Sequence, residues 1–188
     1  MSESRPSSSG RVVVGVSGSL GSLTALVRAA DEARRRGAEL WPVLAWEPPG
    51  GELAARRTTA AAVLVEDWER LARERLLGAL REVFGGDGHG LRTRPLIARG
   101  TPGPALVGTA DREGDLLVVG AGRRGLLHRA LWPSTSRYCL ARAGCPVLAV
   151  PPSPLEATLA AARRRNAWRL RLDTGHVARE LETVPPDA

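Results

Sequence analysis

The chain of 188 residues contains no lysine; all 27 of its Lys-or-Arg positions are arginine, against 20 acids, for a net charge of +7. A Walker A phosphate loop needs a lysine and is thereby excluded. Arginine is the only strong side-chain cation left, and it suits two-point grips on carboxylates and phosphates. The positive balance favours acidic small molecules, nucleic acid or anionic partners without choosing among them.

Cysteine is scarce, with Cys139 and Cys145 the only two. They make neither a disulfide framework nor a zinc site, and a reduced, cytoplasmic setting is expected. The three histidines, His89, His128 and His176, fall in no ligand pattern such as H-E-x-x-H. No metal site and no catalytic residue is expected. No apolar run approaches about 18 residues, so no membrane span is expected. The opening MSESRPSSSG lacks the apolar stretch of a signal peptide. Residues 1–10 read as a flexible arm.

What the chain does have is alternation. RVVVGV (11–16) is a continuous apolar run, the mark of a strand buried on both faces. SGSLGS (17–22) is a Gly/Ser turn, and residues 22–36 carry helical spacing that Gly37 stops. ELWPVLAW (39–46) reads as a second strand, with Pro42 pointing to a distorted start. Residues 60–84 form the longest helical pattern, with Val63, Val65, Trp68, Leu71, Leu76 and Leu80 on a broad apolar stripe. LRTRPLIAR (91–99) reads as a third strand, 100–114 as a short helix, and DLLVVG (115–120) as a fourth strand. A helix over 134–144 and a fifth strand over 146–151 follow.

Strand and helix alternating five times predicts an α/β fold, an open parallel sheet with helices on both faces. Ligands of such sheets bind beyond the carboxyl ends of the strands, where strand order reverses. The loops at 17–22, 46–52 and 120–134 leave those ends and should share one rim. After PPSP (151–154) the composition changes, and residues 153–188 read as a partly helical C-terminal extension to a domain over 11–152. Trp168, Leu170 and Leu172 alternate there as in a strand.

Gly120, Gly122 and Gly125 spell G-x-G-x-x-G after the fourth strand. A dinucleotide fingerprint belongs to the first strand–turn–helix unit and needs an acid about 20 residues on. No Asp or Glu occurs between Asp115 and Glu156, and Pro133 blocks a long helix from the glycines. The Rossmann reading fails on this context.

The stretch from Arg11 to Val150 resembles the universal stress protein family. The resemblance rests on VVVGVSGS (12–19), AADEARRRGAELWPVLAWEPP (29–49), ARGTPGPALV (98–107) and LLVVGAGRRGLLHRALWPSTSRYCLARAGCPVLAVP (116–151), all in the expected order. It implies an adenine-nucleotide-hydrolase-like sheet of order 3-2-1-4-5 and, in many members, a homodimer through the last strand, here Val147–Val150. Nucleotide-binding members hold ATP phosphates in a G-x-x-G-x9-G-[ST] loop, where glycine amides and a helix N-terminus face the anion. Laid on this chain, the first glycine is Gly120, the second falls on Arg123, the third on Pro133 and the hydroxyl on Ser134. Two of three glycines are missing. Such relatives also place an Asp where this chain has Ser17, and contact adenine through backbone at Ala45.

The resemblance therefore implies cofactor contacts at Val16, Ser17, Ala45, Gly120, Gly122, Arg123, Arg124, Gly125, Ser134 and Thr135, with ATP the candidate ligand. Three functions follow. One is a regulatory binding module with a degenerate nucleotide site and an unknown protein partner. A second is an ATP-binding or slowly hydrolysing switch that clamps phosphates with Arg123 and Arg124. The third is a basic nucleic-acid-associated protein, which the balance of six Arg against five acids over 153–188 disfavours. Ser134, Thr135 and Ser136 form no visible nucleophile with a His–acid pair, and Ser134 reads as a helix N-cap.

Overall fold

The structure, a computed structural model, describes residues 10–48, 59–85, 90–121 and 134–153. Its elements run β1 (Arg11–Gly15), α1 (Leu20–Arg36), β2 (Glu39–Trp46), α2 (Thr59–Phe84), β3 (Leu96–Arg99), α3 (Pro102–Thr109), β4 (Leu116–Gly120), α4 (Thr135–Arg142) and β5 (Val147–Val150). The strands form one five-stranded sheet of order β3-β2-β1-β4-β5, every neighbouring pair parallel. The chain divides into two units, Met1–Pro152 and Ser153–Ala188, and the sheet belongs to the first.

Side chains alternate across a strand, so each apolar run feeds two cores. Val12, Val14 and Val16 face one layer, built with α1 and α2; Val13 faces the other, built with α3 and α4. Helix α1 meets the sheet through Ala25, Leu26, Ala29, Ala30 and Ala33, all buried. Small side chains at helical spacing let its axis lie close to the strands. Gly37 ends it in the left-handed conformation (φ 60°), with the Ala38 N–H returning to the Ala33 carbonyl at 2.9 Å.

The apolar stripe of α2 agrees with the expected one at Leu76 and Leu80 and departs from it at Trp68 and Leu71, while the Val63 side chain lies outside the described residues. Ala72, Leu76 and Ala79 are buried, while Trp68 and Leu71 are exposed. The small alanines face the sheet, and the larger Trp68 and Leu71 lie one face around.

Strand β3 is shorter than the predicted 91–99, and Pro42 does not distort the start of β2. Pro42 is fully buried and pairs in register with Val14 of β1. Leu40 bonds to the β3 side, its N–H donating to Arg92 and its carbonyl accepting from Arg94. The next rung of that ladder needs an N–H at position 42, which proline lacks. The same register brings Pro95 opposite Pro42. Pairing with β3 is thus an isolated bridge, Leu40 to Thr93, then a gap, then a ladder from Val43↔Leu96 onward.

At the amino ends of the strands a buried ion pair ties β1 to the start of β4. Arg11 donates from Nε to Asp115 at 2.9 Å and from Nη2 to both Asp115 and Asp111. Arg11 and Asp115 are buried. The Arg11 guanidinium also stacks 4.5 Å from the Trp41 ring centroid, and Arg94 lies over the same ring at 4.8 Å. The hydrogen bond to Asp115 leads the causes that hold Arg11 in its charged form, outweighing burial.

Candidate functional site

The sheet order reverses between β1 and β4, with α1 and α4 packing on opposite layers, and a reversal of this kind is where open α/β sheets form a ligand crevice. Its first wall is the turn from β1 into α1. Val16 prolongs β1, its N–H donating to the Val43 carbonyl at 2.8 Å. Gly18 takes a left-handed conformation (φ 76°), which glycine allows without strain. Ser19 caps α1, its Oγ accepting from the Ser22 N–H at 3.3 Å. Ser22 is buried and locks the turn from inside. Its Oγ donates to the Ser19 carbonyl at 2.8 Å and accepts from the Ser17 N–H at 3.2 Å. The Ser17 hydroxyl is exposed and lies 3.0 Å from the Ser19 hydroxyl. The helix starts at Leu20, earlier than the expected 22, because Ser19 supplies the cap.

The second wall is the end of β4. A Cβ on Gly120 would sit 3.0 Å from the Gly21 carbonyl oxygen and 3.3 Å from its carbon. Both are backbone atoms, so a side chain here would push the first turn of α1 away from this strand by a few tenths of an ångström. Beyond it the Ala121 N–H donates to the Val150 carbonyl at 2.7 Å. The predicted contacts at Gly122, Arg123, Arg124 and Gly125 fall outside the described residues.

Past the residues that are not described, the chain resumes at the start of α4. The Ser134 Oγ accepts from the Arg137 N–H at 3.3 Å and lies 3.4 Å from the Ser136 hydroxyl. Thr135 opens the helix and Ser136 is buried. The capping role read for Ser134 is what the structure shows.

The parallel register brings the remaining positions level. Gly15 pairs with Val43, which carries Ser17 to the level of Ala45 two residues on. Val14 pairs with Val118, which carries Val16 to the level of Gly120. Val16, Ser17, Ala45 and Gly120 therefore lie along one carboxyl rim.

Next to Ala45, the last rung of the β2–β3 ladder pairs Trp46 with Arg99. The indole packs against the α1/α2 core, and the Arg99 guanidinium lies 5.7 Å from its centroid. The Gly100 N–H closes the rung onto the Trp46 carbonyl at 2.8 Å. Sequence reading missed Arg99, Ser19 and Ser22. For the serines the S-x-x-S spacing at a helix start was the available signal. For Arg99, only the strand register reveals its indole partner.

The two thiols are buried and unbridged. Burial pushes both above the ordinary thiol range, and Cys145 is raised further by the Asp115 charge. They stay protonated at neutral pH and serve packing. Among the described residues no group of three or more His, Cys, Asp or Glu is placed to hold a metal, and no helix is long and apolar enough to cross a membrane.

A five-stranded parallel sheet of order 3-2-1-4-5, with its crevice at the β1/β4 reversal, defines an adenine-nucleotide-hydrolase-like α/β module. The sequence profile of the universal stress protein family matches residues 9–151. The chain belongs to that family. Universal stress protein Rv2005c of Mycobacterium tuberculosis is 32% identical over 162 residues, covering 78% of this chain and 50% of the relative. Universal stress protein Mb2028c of Mycobacterium bovis matches to the same extent. The chain spans about half the length of these curated relatives. A universal stress protein solved in complex with cAMP is 29% identical, with a TM-score of 0.51, covering 77% of this chain and 98% of that one. UspA from Lactobacillus plantarum shares the fold with a TM-score of 0.58 at 23% identity, covering 75% of this chain and 97% of that one.

Proposed function

We propose that this chain is a regulatory binding module whose β1/β4 crevice takes an adenine nucleotide with weak affinity. The close approach of Gly120 to the first turn of α1 carries this reading. It keeps a shallow backbone cradle at the strand ends, beside a helix N-terminus that favours anions. The solved relative bound to cAMP supports a nucleotide as the ligand class. The departures bear on strength. Ser17 stands where nucleotide-binding relatives carry an acid, and its N–H is already engaged by Ser22. Arg123 and Pro133 replace two glycines of the phosphate loop. Each change removes a donor or acceptor, or stiffens the backbone, so affinity falls rather than shape. ATP is the further candidate ligand, with Arg123 and Arg124 as its phosphate partners. A cytoplasmic setting is part of this reading.

The test is isothermal titration of the full chain with cAMP and with Mg-ATP. Saturable heat with either supports the reading. Absence of heat with both at millimolar ligand removes it.

We also propose that the module pairs with a second copy through β5. This strand ends the sheet and bonds to β4 on one side. The Leu117 N–H donates to the Pro146 carbonyl and the Ala121 N–H to the Val150 carbonyl. The alternation this sets up turns the backbone groups of Val147 and Ala149 outward. An unpaired edge of this kind is a template for another strand. A dimer mass in light scattering at tens of micromolar supports this pairing, and a strict monomer overturns it.

A further inference from the structure

A site that takes a nucleotide together with Mg2+ holds the ion through carboxylates as well as through the phosphates. The two loops that leave β1 and β4 supply no carboxylate. Residues 16–22, between β1 and α1, contain no Asp or Glu, and neither do residues 121–134, between β4 and α4. The first turns of α1 and α4 carry no acid either. What the β1–α1 turn offers instead is hydroxyl and amide. The exposed Ser17 Oγ lies 3.0 Å from the Ser19 Oγ, and Ser19 caps α1. Asp115 stands at the opposite end of β4 and is taken by Arg11. Glu47 is exposed and follows β2, two strands away from β4.

We propose that this crevice takes its nucleotide as the metal-free anion, and that Mg2+ competes with the protein for the phosphates rather than bridging the two. This rests on the nucleotide reading given above. The first N–H groups of a helix have no partner within it, and its positive end favours negative charge. Gly120 lets that end of α1 lie close to the strand. The chain as a whole adds a net charge of +7 to the same attraction. A hydrated Mg2+ on the phosphates cancels much of the charge that these groups recognise, and it keeps its own waters between ligand and protein. Without a carboxylate to hold the ion, nothing on these loops offsets that loss. ATP therefore gains affinity when the metal is removed. A cyclic monophosphate, which holds Mg2+ only weakly, is indifferent to it.

The test titrates the full-length chain with ATP and with cAMP, each in excess EDTA and in excess MgCl2, at matched ionic strength. A Ser17→Asp variant restores a carboxylate to the rim. Its side chain is exposed and the bond from the backbone N–H to Ser22 is kept, and melting temperature confirms the fold. Metal-free ATP is expected to bind about tenfold more tightly than Mg-ATP, and cAMP equally in both buffers. The variant should shrink or reverse the ATP ratio. Mg-ATP binding as tightly as free ATP, or more so, overturns the proposal. So does heat from cAMP with none from ATP in either buffer. An unchanged ratio in Ser17→Asp also overturns it, because the ion is then felt away from this rim. Failure of the unaltered chain to bind either cAMP or Mg-ATP instead sinks the nucleotide reading beneath it.

Discussion

Gly120 illustrates how a missing side chain positions a helix. An added Cβ meets backbone, which cannot swing away like a flexible side chain. Gly120→Ala is therefore expected to destabilise the fold by roughly 1–3 kcal/mol in urea titration. The same variant should lose cAMP heat by displacing the first turn of α1. At the other end of the same strand pair, Arg11 and Asp115 are buried together. Truncating one partner strands the other charge in the core. Asp115→Ala is expected to lower stability by about 3–5 kcal/mol in chemical denaturation. Asp111 meets the same guanidinium from the surface, and that hydrogen bond lowers its pKa below the ordinary carboxylate value. A depressed folded pKa contributes stability that is present above the unfolded pKa and lost as pH falls through the folded one. Asp111→Asn should therefore flatten the acid side of the stability–pH profile, read by melting temperature from neutral pH downward.

Elements declare themselves in this sequence by apolar runs and helical spacing, and their ends by chemistry that acts across strands. β1 and β4 read plainly because both faces of each are covered, leaving no polar alternation to confuse with a helix. The limits of β3 were hidden because Pro42 and Pro95 act together only once β2 and β3 lie side by side. The stripe on α2 misled because alanines bury as well as leucine when a helix lies close to a sheet, and spacing alone favours the larger residues. The edge strand carries its own prediction. Ala149→Pro removes an outward N–H and leaves the β4 ladder intact, a substitution that edge strands accept. It should halve the mass seen by light scattering while circular dichroism stays unchanged.

At the scale of the whole molecule, the five-part alternation fixed the layer architecture, and resemblance supplied the strand order the structure displays. The rim was legible as a set of strand ends. The Arg99–Trp46 contact was not, because their meeting depends on a register that no local pattern encodes. If a nucleotide occupies the rim, it stabilises the fold by mass action, by about 2.7 kcal/mol at a hundredfold excess over its dissociation constant. The paired prolines bear on how the sheet comes apart. With no rung between Thr93 and Leu96, the outer strand hangs on the four residues beyond the gap. It should open locally, well before the central strands part. Amide deuteration should accordingly label Leu96 and Ala98, whose N–H groups face β2, while Val13 and Val118 remain protected. The strand that frays first also forms the outer end of the carboxyl rim, so that rim would loosen before the sheet itself gives way.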